Sequence, residues 1–126
     1  MQENMAPHRV RAARRGIGLT QKQMARLTGY RSDIQVSRVE RGIRPPSVRF
    51  LLSSTILFGR SVEDLFKSLY DQIEEHVVRE AYLIHERLSG DDSETAVKYR
   101  ALLTDIISSA AKRHQNQNTY ETNHLS

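Results

Sequence analysis

"VSRVERGIRPPS", residues 36–47, is the stretch on which the fold turns. Val36 and Val39 stand three apart and so share one face of a helix, while Ser37, Arg38, Glu40 and Arg41 around them are polar. Gly42 supplies a left-handed stop, and Pro45 and Pro46 forbid continuation. A helix this short, with two apolar contacts, is pinned on one side only. Its other side is left to meet something outside the chain.

The same grammar extends in both directions. In "TQKQMARLTG", residues 20–29, Thr20 and Gln23 form a capping box, Met24, Ala25 and Leu27 supply an inward face, and Gly29 ends a helix of about two turns. "SDIQVSRVERG" repeats the pattern, with Ser32 and Gln35 as a second capping box. Upstream, "HRVRAARR" reads as a first helix after Pro7, ending around Gly16 to Gly18. Downstream, Ser47 caps "VRFLLSSTILF", Gly59 closes it, and Ser61 with Asp64 opens "VEDLF". Five short helices therefore fill the first half of an all-α chain.

Composition removes most other classes. A chain of 126 residues holds one ordinary domain, or a small one with an extension. It has no cysteine, which excludes disulfides, thiolate metal sites and cysteine nucleophiles. The start carries no apolar signal region, and "FLLSSTILF" is too short and polar to span a bilayer, so a soluble cytoplasmic protein is expected. Residues 1–66 carry twelve basic against five acidic side chains, whereas residues 67–126 carry seven against ten. A basic module suited to a polyanion is thus joined to an acidic one with another task, unless both are ordinary solvated surfaces.

The polyanion that fits is double-stranded DNA. With Val36 and Val39 turned inward, Asp33, Ile34, Gln35, Ser37, Arg38 and Arg41 face outward. A major groove about 12 Å wide admits one such helix, and its donors and acceptors match Gln and Arg with bidentate geometry. Arg44, beyond the helix end, is suited to a phosphate. Arg31 and Ser32, in the turn before the helix, complete the DNA-facing set.

These residues resemble the helix-turn-helix regulators of the Cro and lambda-repressor type, the Xre family. The resemblance runs from about Arg9 to Phe66 and is carried by "GLTQKQMARLTG", with Ala25 where two helices cross and Gly29 at the turn, by "VSRVERGIRPPS", and by "GRSVEDLF". It implies a five-helix lambda-repressor-like DNA-binding domain. It also implies a phosphate contact for Gln21, a recognition helix starting at Asp33, Ile34 and Gln35, and an ion pair between Arg14 and Glu40, with Glu40 structural. Arg38, one turn on, is the foremost base reader, the alternative being a phosphate contact or a solvated charge. Gln35 is divided between closing a cap with Ser32 and contacting adenine, and Asp33 suits helix support better than a base. The chain departs from the family pattern by one extra residue between Gly29 and Val36, by Ala13 and Ser54 where larger apolar residues are usual, and by Arg60 where an apolar one is. Such a core is thin, so the second half is expected to add stability.

That second half reads as a helical hairpin. Leu69, Ile73, Val77, Ala81, Ile84 and Leu88 lie along one helix, and Ala96, Tyr99, Leu103, Ile106 and Ala110 along another, with Gly90 between. The apolar stripes exceed what one hairpin buries, which predicts a homodimer built on Leu69, Ile73, Val77, Ile84, Leu103 and Ile106. The alternatives are a monomer whose hairpin folds back, or an antitoxin-like protein whose hairpin holds a protein partner while the DNA-binding half autoregulates. The expected organisation is 1–67 for the DNA-binding domain, 68–114 for the hairpin and 115–126 for a polar, disordered tail. His76 and His85, with nearby glutamates, lack a complete metal-ligand set, so no metal or cofactor is expected. No glycine-rich phosphate loop or nucleophile elbow is present, and enzymatic activity is not expected. The reading as a whole is a sequence-specific, dimeric transcriptional repressor.

Overall fold

A computed structural model describes residues 8–124, with side chains as far as residue 118. Among these residues it is all helix: α1 (Val10–Gly16), α2 (Gln21–Thr28), α3 (Asp33–Glu40), α4 (Val48–Phe58), α5 (Val62–Leu65), α6 (Lys67–Arg87) and α7 (Glu94–His124). The helix starts follow from local side-chain chemistry. Thr20 Oγ1 accepts the Gln23 N–H at 3.1 Å, and Gln23 Oε1 accepts the Thr20 N–H at 2.9 Å, a closed capping box at the head of α2. Ser47 Oγ accepts the Phe50 N–H, and Ser61 Oγ accepts the Asp64 N–H, each at 3.1 Å.

Two starts differ from expectation. The first helix begins at Val10 rather than His8, and the His8 and Arg9 N–H groups ahead of it donate to the carbonyls of Glu40 and Leu65, at 3.3 and 3.0 Å. Pro7, expected at its first turn, lies outside the described residues. At α3, Ser32 is the N-cap residue but its side chain makes no capping bond; Gln35 Oε1 instead accepts the Arg31 N–H at 2.8 Å.

The N-terminal core gathers Val10, Met24, Ala25, Val36, Val39, Phe50, Leu65 and Phe66, all buried. Phe50 lies between two other rings, 5.1 Å from Tyr30 and 6.1 Å from Phe66, so one aromatic from α4 joins the turn after α2 to the end of α5. Leu27, expected inside, is exposed, and Thr28 is buried in its stead. The arc centred between Met24 and Ala25 runs through Gln21 and Thr28, four and three residues away, and leaves Leu27 on its flank. Thr28 settles its hydroxyl on the Met24 carbonyl at 2.7 Å. Ser54, a small residue at a core position, does the same with the Phe50 carbonyl at 2.7 Å. Leu69, expected on a dimerisation face, is taken up against this core.

The chain divides into two compact units after Gln72, within α6. In the second unit α6 and α7 pair, burying Ala81, Ala96, Leu103 and Ala110. Leu103 is thus inside the helix pair rather than on its outer face. At one end of the pair Arg113 grips Glu74 with two bonds of 2.7 Å, and His114 Nε2 lies 2.8 Å from the same carboxylate. The Arg113 guanidinium, with His114 adding to it, holds the Glu74 carboxyl below the usual range. At the other end Arg100 Nη1 donates to the carbonyls of Leu88 and Asp91, closing the C-terminus of α6. The expected disordered tail is helical as far as His124. No proline or glycine follows Gly90, so nothing interrupts α7, and each added Gln, Asn or Thr costs only a few tenths of a kcal/mol of propensity.

Candidate nucleic-acid interface

Three helices are tied together beneath the outward face of α3. Glu40, fully buried at the end of α3, receives Arg14 of α1 through Nε at 2.7 Å and Nη2 at 3.1 Å, and Gln21 of α2 through Nε2 at 3.0 Å. Arg14 also donates Nη1 to the Leu19 carbonyl at 2.7 Å. A bidentate, hydrogen-bonded pair of this kind satisfies both buried charges and fixes how the helices cross. The ion pair implied by the family resemblance is therefore present. Gln21 brings something unforeseen: one of its two amide N–H groups goes to Glu40, which leaves the second N–H and the carbonyl oxygen for other use.

The turn between α2 and α3 absorbs the extra residue. Gly29 (φ 83°) closes α2 in the left-handed region, a conformation that calls for glycine, with the side chain of exposed Arg49 lying over it. The Tyr30 N–H turns back to the Ala25 carbonyl at 3.0 Å. Residues 29–32 thus all belong to the turn, and α3 begins at Asp33. Its far end closes with the Gly42 N–H on the Val39 carbonyl at 3.0 Å and the Ile43 N–H on the Arg38 carbonyl at 2.9 Å, a Schellman pair around Gly42 (φ 73°).

Between those ends Val36 and Val39 point fully inward. Arg31, Ile34, Arg38, Arg41 and Arg44 are exposed, while Ser32, Asp33, Gln35 and Ser37 are half-buried. Ile34 is 58% exposed, an apolar side chain that the fold itself does not cover. Gln35 has its carbonyl oxygen on the Arg31 N–H, so the Ser32 cap is not its role. Arg41 leans back with Nε 3.4 Å from the Ser37 carbonyl.

Beside this face lies an open cleft of about 580 Å³, lined by Arg11, Arg14, Arg15, Thr20, Gln21, Lys22, Asp33 and Ser37. Arg14 is neutralised by Glu40, and the exposed cations are Arg11, Arg15 and Lys22. Sequence reasoning counted these three as charge and missed them as site residues. The spacing of Arg11 and Arg15, one turn apart on α1, is the signal that could have found them. Residues 8–65 match a helix-turn-helix domain family.

The helix-turn-helix domain is thus the N-terminal unit's α1 to α5, with α2 and α3 as the paired helices and the cleft opening at the N-terminus of α2. No curated protein and no solved structure matches the chain. Arg60, polar where the family pattern is apolar, is accommodated at the domain's edge. Asp64 accepts from Arg60 Nε at 2.5 Å and from Arg9 Nη1 at 2.7 Å, and those bonds hold its carboxyl below the ordinary value. Among the described residues no helix is long and apolar enough to cross a membrane, and no three metal-ligating side chains lie together.

Proposed function

We propose that the chain is a sequence-specific, double-stranded-DNA-binding transcriptional regulator of the Cro and lambda-repressor type, acting as a paired repressor and performing no chemistry on its target. The observation that carries this reading is the division of α3: Val36, Val39 and Glu40 are buried, and Ile34, Arg38 and Arg41 are exposed beside a cleft edged by Arg11, Arg15 and Lys22. In the reading, Arg38 donates in bidentate fashion to guanine O6 and N7, and Ile34 packs on a thymine methyl. Arg11, Arg15, Lys22, Arg31, Arg41 and Arg44 neutralise phosphates, and the N-terminus of α2 adds its dipole with the second Gln21 amide N–H donating to a phosphate beside it. Asp33 supports the N-terminus of α3, and Ser37 lies at the edge of the groove.

Two such helices about 34 Å apart engage successive major-groove faces, which is why the reading includes a pair. Repression then needs only occupancy of a site that RNA polymerase also requires. The test is selection of bound sites from random duplexes with the full chain. The expected result is a short enriched motif repeated as an inverted pair. Recovery of sequences no different from the input pool would refute sequence-specific reading.

A further inference from the structure

The α6–α7 pair uses only one of two apolar seams on each helix. The seam between the helices runs through Glu74, Val78, Ala81 and His85 on α6 and Leu88 just past its end, and through Ala96, Arg100, Leu103, Ile107 and Ala110 on α7, all buried or half-buried. Each helix repeats this heptad one residue earlier. On α6 the second seam is Ile73, Val77, Glu80, Ile84 and Arg87; on α7 it is Tyr99, Leu102, Ile106 and Ser109. Equal shifts on two antiparallel helices turn both second seams to the same side of the pair. That side is open where the two copies would overlap, with Tyr99 42% and Leu102 54% exposed and Ile84 and Ile106 half-buried; Ile73 and Val77, 56% and 43% exposed, extend it toward the start of α6 beyond that overlap.

We propose that this side binds the same side of a second copy of the chain, with α6 antiparallel to α6 and α7 antiparallel to α7, so that Glu80 of each copy meets Arg87 of the other. The proposal rests on the paired-regulator reading above and names the surface and register of the pair. Charge decides the occupant and the direction. Glu80 and Arg87 lie seven residues apart in one seam, so a parallel pairing sets like on like, while an antiparallel one centred between Leu83 and Ile84 joins opposites twice.

The α7 seam gives an independent check. Read about Thr104 it is self-complementary, Leu102 against Ile106 and Tyr99 against Ser109. The two centres must then fall at one height of the hairpin. They do. Nine residues on from Glu74 is Leu83 and nine back from its partner Arg113 is Thr104; four back from Leu88 is Ile84 and four on from its partner Arg100 is again Thr104.

Sedimentation equilibrium of the full chain tests this. The wild type is expected to dimerise, Glu80→Arg and Arg87→Glu each to weaken self-association about tenfold or more, and their equimolar mixture to restore it. A wild type that stays monomeric at about 100 μM overturns the proposal and the paired reading together, whereas DNA binding by fluorescence anisotropy reports separately on the helix-turn-helix domain. A wild-type dimer indifferent to both substitutions, or a mixture that fails to restore pairing, overturns this surface and register and leaves the paired reading standing. Should either charge variant lose helicity, single cysteines probe the same register in a chain that has none of its own. Ile84→Cys is expected to cross-link to itself and Ile73→Cys, about 30 Å from its counterpart, is not. Cross-linking at 73, or none at 84, overturns the proposal.

Discussion

Arg38 and Ile34 are exposed side by side on the outward face of α3. For Arg38→Ala the expected loss is about 1–3 kcal/mol on the selected site and little on random duplex, measured by anisotropy titration of both. Equal losses on the two would reassign Arg38 to a phosphate. Ile34 offers a probe that changes the DNA instead of the protein. Replacing thymine by uracil removes one methyl group from the groove, and a site so altered is expected to bind about fivefold more weakly to wild type but equally to Ile34→Ala. His8 carries a different signal. Its ring is buried on Phe66 at 4.9 Å, both nitrogens lack a hydrogen-bond partner among the described residues, and burial lowers its pKa. A folded-state pKa below the unfolded value of about 6.5 means that the unfolded chain takes up the proton first. Stability is therefore full above about pH 6.5 and falls as pH drops through the lowered folded value, and His8→Phe is expected to flatten that slope in thermal melts across pH 5 to 8. None of the His8 environment was legible in sequence, since it depends on Phe66, far along the chain. Of the outward set on α3, Ile34, Arg38 and Arg41 are exposed as two valines three apart require, whereas Asp33, Gln35 and Ser37 are half-buried against the neighbouring elements.

Among the elements, the caps were readable and the side-chain networks only in part. Thr20, Ser47 and Ser61 cap as their sequences indicate, because an N-cap answers to N–H groups two or three residues away. Gln35 did not, since in a turn of four residues the Arg31 N–H came within its reach. Leu27 was misjudged for a related reason: composition marks it as apolar, but the arc that α2 buries is set by where α3 and α4 lie against it. The tie among α1, α2 and α3 is where these elements become one body. Glu40→Ala leaves the Arg14 guanidinium buried without its carboxylate and is expected to cost about 3–5 kcal/mol, read as a lowered urea midpoint. Gln21→Ala, which removes one neutral donor from the same charged carboxylate, is expected to cost less, about 1.5–3 kcal/mol. A Glu40 variant as stable as wild type would mean that the valines alone hold α3 in position.

At the scale of the whole molecule, charge and the proposed pairing set the expected behaviour. The twelve basic side chains of residues 1–66 predict that log affinity falls with log salt by about 0.9 for every phosphate neutralised. Replacing Arg11, Arg15 and Lys22 together by alanine is expected to reduce that slope by about 2–3 without changing which site is preferred. A flat salt response would argue against DNA altogether. Sequence read the hairpin's existence correctly but merged its two seams into one stripe, because residues at every third or fourth position span an arc wide enough to hold both. Resolving them required knowing that Ala81 and Leu103 face inward while Ile73 and Leu102 do not. The open seam has a consequence for dosage. For the proposed repressor, joined through this surface and mostly apart at low abundance, occupancy of a mostly empty site would grow with the square of its amount, so halving the supply would cut silencing roughly fourfold and turn a gradual decline into a sharp release.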